Sequence, residues 1–147
     1  MPAHRRPGVV GGLDDRVQPA GSGYAGAVNV FAPAPVKPAI PFATLELVDI
    51  RLGTITAVGE VPASRKLVKL TVAFGDHSRD ILAGMKQERA NPSELVGRQA
   101  LFVVNLEPRK MAGEVSHGML LDLGYADGLA PALAVPERPM PDGTRAG

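Results

Sequence analysis

A block of polar and flexible residues between Asn105 and Leu121 contains the side chains best suited to bind a charged ligand. Arg109 and Lys110 follow Pro108, whose ring fixes the backbone, and two glycines further along permit tight turns. Arginine presents a planar fork of N–H donors, and lysine presents a mobile point charge. Both groups suit the oxygens of phosphate or carboxylate. The block therefore predicts an anion-binding loop.

Other side chains of the same block could extend this site. Asn105, Ser116 and His117 offer neutral hydrogen-bonding groups, and Met119 offers a polarisable apolar surface for a base. The residues alone leave a second interpretation open, because an arginine–lysine pair is common on solvated surfaces. A methionine at the start of a strand is likewise common in protein cores.

Residues typical of enzyme active sites are sparse. The chain has no cysteine, which excludes disulfides, thiolate nucleophiles and cysteine-based zinc sites. The hydrolase GxSxG, zinc-binding HExxH and phosphate-binding Walker patterns do not occur. Ser116 and His117 are neighbours, but adjacent residues of a strand point to opposite faces and do not form a catalytic pair. We expect no catalysis, no cofactor and no metal.

The elements that position the block are predicted to be strands. Alternating apolar residues and turn signals predict strands at 48–61 (with a bend or bulge at Gly53), 67–74, 80–83, 99–106, 118–123 and 133–135. The segment 91–97 predicts one short helix, with Asn91 as N-cap and Pro92 in the first turn. This order indicates an all-β fold, a five-stranded OB-fold barrel with a short helix between strands 3 and 4 and a C-terminal β extension. A small sandwich and an SH3-like barrel are the competing folds.

The first 41 residues differ in composition from the rest. They contain seven of the 14 prolines, together with many glycines and no apolar period. This composition predicts a disordered extension at 1–41, followed by a folded domain at 42–147.

Overall charge and hydropathy limit the possible partners. The net charge is only +1, so an anionic partner must be held by a local basic patch. Aromatic residues make up 4% of the chain, which argues against a base-stacking platform of many rings. No apolar run reaches the roughly 18 residues of a membrane-spanning helix. We expect a cytoplasmic protein without a membrane partner.

The block at 105–121 reads N-L-E-P-R-K-M-A-G-E-V-S-H-G-M-L-L and resembles the signature of the tRNA-binding domain family. Further matches are V-D-I-R-L-G-T-I at 48–55, I-L-A-G-M-K-Q at 81–87 and P-E-R-P-M-P-D-G-T-R-A-G at 136–147. The resemblance covers about residues 42–147. The family includes the C-terminal module of bacterial methionyl-tRNA synthetase, free-standing tRNA-binding proteins, EMAP-II-like domains and CsaA-like export chaperones.

The resemblance implies an OB-fold that dimerises through the region after its last barrel strands and binds tRNA by shape and backbone. It implies RNA contacts by Ser116 and Met119, by Lys66 in the loop before the second strand, and by a ridge of Asn105, Arg109 and Lys110. The loop departs from the synthetase pattern H-P-N-A-D-K-L. It reads V-P-A-S-R-K-L at 61–67, which keeps the proline and lysine but has lost the histidine, asparagine and aspartate.

Two functions remain as hypotheses from the sequence. The first is a homodimeric, structure-specific tRNA-binding module acting in trans, with an aminoacyl-tRNA synthetase as an additional partner. The second is a CsaA-like export chaperone that binds unfolded or precursor polypeptides. Salt distinguishes them, because binding to phosphates weakens steeply as salt rises and apolar peptide binding does not.

Overall fold

The computed structural model describes residues 31–147, and all regular elements fall within the unit Pro33–Gly147. One helical turn, α1 (Phe42–Leu45), precedes the strands. The strands are β1 (Ile50–Glu60), β2 (Leu67–Ala73), β3 (Ser78–Gly84), β4 (Gln99–Val103), β5 (Arg109–Met111), β6 (Glu114–Ser116), β7 (Met119–Leu120), β8 (Asp122–Leu123), β9 (Ala132–Leu133) and β10 (Arg145–Ala146). Short 3₁₀ helices lie between β3 and β4 (Pro92–Leu95) and between β8 and β9 (Tyr125–Asp127).

The main sheet is antiparallel, with the strand order β3-β2-β1-β4-β7, and β10 pairs with the start of β1. Its two edge strands approach each other, since the His117 N–H donates to the Asp80 carbonyl oxygen at 2.9 Å. β5 pairs with β6, and β8 pairs with β9, in separate two-stranded sheets. The predicted all-β class is confirmed, and so is the short helix between the third and fourth strands. The ten strands are more numerous than the five barrel strands and the extension that were predicted, and most are shorter, although β3 is longer than its predicted range of 80–83.

The core lies on the inner face of this sheet. In β2, Val68, Leu70 and Val72 are buried and alternate with more exposed neighbours, which is the period of two expected for a half-buried strand. Phe74 and Phe102 meet edge to face, with ring centroids 5.6 Å apart. Full burial of each such side chain stabilises the fold by roughly 1.5–3 kcal/mol.

Gly53 has a different role from the predicted bend or bulge, so that prediction is wrong. It is buried and pairs in register with Ala100, while the shift in the β1–β2 register lies between Ile55 and Ala57. A Cβ atom on Gly53 would lie 2.5 Å from Val72 Cγ1. Glycine is therefore required here because the side chains of β2 pack directly against the backbone of β1.

The predicted helix at 91–97 is shorter and tighter than expected. It is a single 3₁₀ turn, Pro92–Leu95, and the Asn91 side chain makes no capping bond to the backbone. The Asn91 Oδ1 instead accepts a hydrogen bond from the Ser93 hydroxyl. Burial of Leu95 in the core holds the turn in place.

The boundaries of the predicted strands also change. The strand predicted at 99–106 ends at Val103, and the one predicted at 118–123 divides into β7 and β8 around Leu121. The predicted C-terminal extension is present as β9 and β10. Residues 1–30 of the predicted disordered extension lie outside the described residues, and 33–41 are exposed without a regular element up to α1. Within the described part, no helix is long and apolar enough to cross a membrane.

Candidate nucleic-acid interface

The segment expected to be a loop at 109–117 folds as a β-hairpin. Arg109 pairs with Ser116, Lys110 with Val115, and Met111 with Glu114. Ala112 and Gly113 form the two-residue turn, with φ angles of 50° and 81°. Two consecutive positive φ values are the mark of a type I′ turn, whose twist matches that of the flanking strands.

The two basic residues of the hairpin point to opposite faces. Directly paired residues share a face, and neighbours along a strand alternate. Ser116 is only 2% exposed, so its partner Arg109 lies on the face that turns towards the main sheet. Lys110 and Val115 occupy the outer face. The two cations therefore lie on different sides of the hairpin, rather than as the single pair that the sequence suggested.

The Ser116 side chain fixes one end of the hairpin. Its Oγ accepts a hydrogen bond from the Leu82 N–H at 2.9 Å and donates one to the Gly118 carbonyl oxygen at 3.0 Å. Both bonds are internal to the protein. This geometry supports a positioning role, and a direct contact of Ser116 with RNA stays a prediction.

Asn105 fixes the other end. Its Oδ1 accepts a hydrogen bond from the Asp49 N–H at 2.8 Å, and its Nδ2 donates one to the Leu47 carbonyl oxygen at 2.7 Å. The amide is thus used to join the start of the hairpin segment to the residues before β1. Contact of Asn105 with RNA likewise stays a prediction.

Arg79 on β3 joins both ends, although the sequence analysis did not identify it. Its Nη1 donates to the carbonyl oxygens of Val104 and His117, which flank the hairpin segment. Its Nε donates to His77 Nε2 at 2.9 Å. No motif in the sequence connects Arg79 with residues 25 and 38 positions away, so this role was visible only in three dimensions.

His77 and Asp76 hold the Arg79 side chain in turn. His77 Nδ1 lies 2.6 Å from Asp76 Oδ1, and the imidazole stacks on the Phe74 ring with centroids 5.5 Å apart. Because Nε2 accepts from Arg79, the ring proton belongs on Nδ1. The hydrogen bond with His77 lowers the pKa of Asp76 below its ordinary value.

Two adjoining clefts lie beside the hairpin, with volumes of about 350 and 550 Å³. Both are lined by Leu82, Arg109, Met111 and Met119. Met119 is 47% exposed and presents an apolar surface next to a guanidinium group. The structure therefore brings together four of the residues predicted to contact RNA, since Asn105, Arg109, Ser116 and Met119 all line the larger cleft.

Lys66 lies outside these clefts, exposed in the loop before β2. Its carbonyl oxygen accepts a hydrogen bond from the Lys86 N–H at 3.0 Å, which brings a second lysine beside it. Arg89 follows on the same segment, lines the smaller cleft and pairs with Glu94 at 3.1 Å. Lys86 and Arg89 were not predicted as site residues from the sequence. Their signal was the presence of two basic residues within the five positions that follow β3.

Among the described residues, no cluster of three or more His, Asp or Glu side chains could hold a metal ion. The positively charged side chains near the hairpin and clefts include Lys66, Lys86, Arg89, Arg109 and Lys110, and Lys69 pairs with Glu114 of β6 at 3.4 Å. Glu107 and Asp122 also line the clefts. A local basic surface of this kind attracts anions even when the net charge of the chain is close to zero.

Comparison with known proteins identifies the family of the chain. A family model described as "Putative tRNA binding domain" matches residues 50–145, which include every strand of the main sheet apart from the last residue of β10. The methionine–tRNA ligase of Chlorobium luteolum is 41% identical over 109 residues, which are 74% of this chain and 15% of the ligase. That of Phocaeicola vulgatus is 44% identical over 95 residues, which are 64% of this chain and 14% of the ligase. The chain thus spans a small part of these curated relatives.

Two solved structures match this chain over their entire length. The MetRS-related protein from Pyrococcus horikoshii has a TM-score of 0.69 and 29% identity, and covers 76% of this chain. The chaperone CsaA from Bacillus anthracis has a TM-score of 0.66 and 29% identity, and covers 75%. Since the family model extends over more than half of its length, this chain belongs to the tRNA-binding domain family.

Proposed function

We propose that the protein binds tRNA in trans as a homodimeric, non-catalytic module of the cytoplasm. The observation that carries the proposal is the hairpin, whose Arg109 lies beside the exposed Met119 at the mouth of two clefts. Two similarities support tRNA as the ligand and an aminoacyl-tRNA synthetase as a partner. The curated relatives are methionine–tRNA ligases, and one similar solved structure is a MetRS-related protein.

The electrostatics favour a phosphate-bearing ligand that is recognised by shape. Contacts of arginine and lysine with phosphates position a nucleic acid but carry little sequence information. Lys66 and Lys110 are exposed and Lys86 is half-buried, and all three lie outside the cleft linings, where they can follow a backbone that passes Arg109. Only one face of the molecule needs to be positive, which is compatible with a net charge of +1.

The homodimer is supported by an apolar surface around α1. Phe42 and Leu47 are each 73% exposed, and Leu45 and Val48 are also exposed. These residues line a cleft of about 990 Å³ together with Arg145 near the C-terminus. Exposed apolar patches of this kind mark interaction sites, and a second copy of the chain would cover this one.

The family resemblance implied dimerisation through the region after the last barrel strands, where the segment 130–136 (A-P-A-L-A-V-P) is apolar, and the surface around α1 lies elsewhere. In that segment, Leu133 packs against the core and Ala132 pairs with Leu123, so part of its apolar surface is covered within the chain. Dimerisation would place two basic faces on one ligand and raise avidity without new contacts.

The alternative is a CsaA-like chaperone for unfolded polypeptides. The apolar lining of the smaller cleft and the similarity to the chaperone CsaA favour it. An extended peptide with apolar side chains could occupy the same surface.

A salt series separates the two functions. Binding of purified protein to bulk tRNA and to a reduced, unfolded polypeptide is measured from 50 to about 300 mM salt. The proposal predicts tRNA binding whose logarithm falls steeply and linearly with the logarithm of salt concentration. Salt-independent binding of the polypeptide, with no binding of tRNA at low salt, would support the chaperone and contradict the proposal.

A further inference from the structure

We propose that the smaller cleft binds a single unpaired base of an RNA strand and prefers cytosine to uracil. We call it the Tyr125 cleft, and its lining is formed by Leu67, Leu82, Ala83, Gly84, Met85, Arg89, Arg109, Met111, Met119, Leu120, Asp122, Tyr125, Pro131, Ala132 and Leu133. The inference rests on the proposed function, since it names the part of the RNA that this surface takes.

The size and walls of the cleft suit a flat, apolar ring. Its volume of about 350 Å³ lies at the lower end of the range for small-molecule pockets, roughly 300–1,000 Å³. Met85, Met111 and Met119 all line it, and methionine adapts to and packs well against aromatic rings. A base inside a duplex is stacked on its neighbours, so the cleft can receive only a base that is unstacked.

Tyr125 supplies an aromatic surface for stacking. It lies in the 3₁₀ helix between β8 and β9 and is 56% exposed, even though it lines the cleft. Exposure of an apolar ring surface to water is unfavourable. Stacking of the ring on a base would remove this surface from water and so favour binding. Stacking on one aromatic side chain typically changes affinity by about tenfold or more.

The charges at the cleft distinguish a nucleotide from an apolar peptide side chain. Two guanidinium groups line the same small volume, that of Arg109 and that of Arg89, of which Arg89 also pairs with Glu94. A peptide side chain would gain nothing from them, whereas the phosphates on either side of a base carry the complementary charge. We therefore favour RNA as the occupant.

The carboxylate of Asp122 is the reason why we expect the cleft to prefer cytosine to uracil. Its Oδ1 accepts a hydrogen bond from the Tyr125 N–H at 3.3 Å, which fixes the carboxylate beside the ring. An ionised carboxylate only accepts hydrogen bonds. Cytosine offers the donor N4 amino group, to which Asp and Glu side chains pair, and uracil offers a carbonyl oxygen at that position.

The test uses fluorescence anisotropy with labelled oligo(C) and oligo(U) of eight nucleotides and with a blunt RNA duplex as probes. The wild type is expected to bind oligo(C) about fivefold or more tightly than oligo(U). Tyr125→Leu should weaken both single strands by about tenfold, and Tyr125→Phe should leave them unchanged. Asp122→Asn should remove the preference for cytosine. Asp127→Asn, in the same 3₁₀ helix but outside the cleft, is the matched control.

The outcomes distinguish this inference from the proposed function. Suppose that an Arg109→Ala/Lys110→Ala variant weakens all three probes, while Tyr125→Leu and Asp122→Asn bind both single strands like the wild type. The base site is then wrong and the proposed function stands. Unchanged binding in every variant would contradict both. If Tyr125→Leu lowers the affinity for an unfolded apolar peptide and not for oligo(C), the cleft is a peptide site. Asp122→Asn is isosteric, so it keeps the test decisive if Tyr125→Leu fails to fold.

Discussion

Neighbouring side chains of the β5–β6 hairpin have different roles because they point to opposite faces. Arg109 turns towards the clefts and Lys110 turns outwards. Ser116, opposite Arg109, is buried and holds the hairpin against β3 through the Leu82 N–H. The residues of one short motif thus divide into those that can meet a ligand and those that position them.

Replacing Ser116 by alanine tests this division. The variant would leave the buried Leu82 N–H without its acceptor, which costs roughly 1–3 kcal/mol of unfolding free energy. Urea denaturation should show this loss, and Ser78→Ala, an exposed serine on the same strand as Leu82, should show none. A Ser116→Ala variant of unchanged stability but weaker RNA binding would assign the hydroxyl to the ligand instead.

The Asp49–Arg51 ion pair predicts a dependence of stability on pH. The hydrogen bond from Arg51, at 2.6 Å, lowers the pKa of Asp49 below its ordinary value of 3.8. The pair therefore stabilises the fold above pH 3.8, and this contribution disappears as the pH falls through the lowered pKa. Because the pair is partly exposed, Asp49→Asn should cost less than about 1 kcal/mol at pH 7. Unfolding experiments should show that the difference from wild type shrinks in acid, and a constant difference would contradict the assignment.

At the scale of elements, the hairpin depends on a two-residue turn in which Ala112 has an unfavourable backbone conformation. Ala112 has a φ of 50°, a left-handed conformation that costs a non-glycine residue roughly 1–2 kcal/mol. Asparagine adopts this conformation readily, and Asn-Gly is a preferred sequence for type I′ turns.

Ala112→Asn should accordingly stabilise the protein by about 0.5–1 kcal/mol. Ala112→Val, with a branched side chain at the same position, should destabilise it and serves as the opposing variant. Chemical denaturation measures both. If the two variants have equal stability, the turn does not have the conformation described.

Sequence patterns predicted the longer strands of the main sheet but not the β5–β6 hairpin. β2 was predicted because its apolar residues alternate, and β3 was predicted only as four residues at 80–83 after a turn signal. The family signature indicated the block that we propose as the ligand site. The hairpin has strands of only three residues and an Ala-Gly turn, which are too weak as local signals. The anchoring of its ends by Arg79 and Asn105 depends on residues distant in sequence, which periodicity cannot connect.

At the scale of the whole molecule, we propose that the apolar surface around α1 binds a second copy of the chain and that the basic surface around the hairpin binds RNA. The two surfaces meet at Asn105, which lines a cleft of each and donates to the Leu47 carbonyl oxygen. Substitutions that test one surface alone therefore leave Asn105 unchanged.

Sedimentation tests the homodimer. At micromolar concentration, the wild type should have about twice the chain mass of 15.3 kDa. Phe42→Ser/Leu47→Ser should be monomeric, with the melting temperature of the monomer unit little changed because both residues are exposed in one chain. Val36→Ser/Ile40→Ser, which alters exposed apolar residues before α1, is the control. A monomeric wild type would contradict the homodimer.

The most direct test of the central claim is the salt dependence of tRNA binding by Arg109→Ala/Lys110→Ala. If both side chains neutralise phosphates, the slope of log affinity against log salt should fall by about 1.4–1.8, and affinity should drop evenly across different tRNAs. The matched control is Arg98→Ala/Arg138→Ala, which removes the same charge from exposed residues around the start of β4, at the end away from the hairpin. A hairpin variant that binds tRNA like the wild type at every salt concentration, or no worse than the control, would contradict the claim.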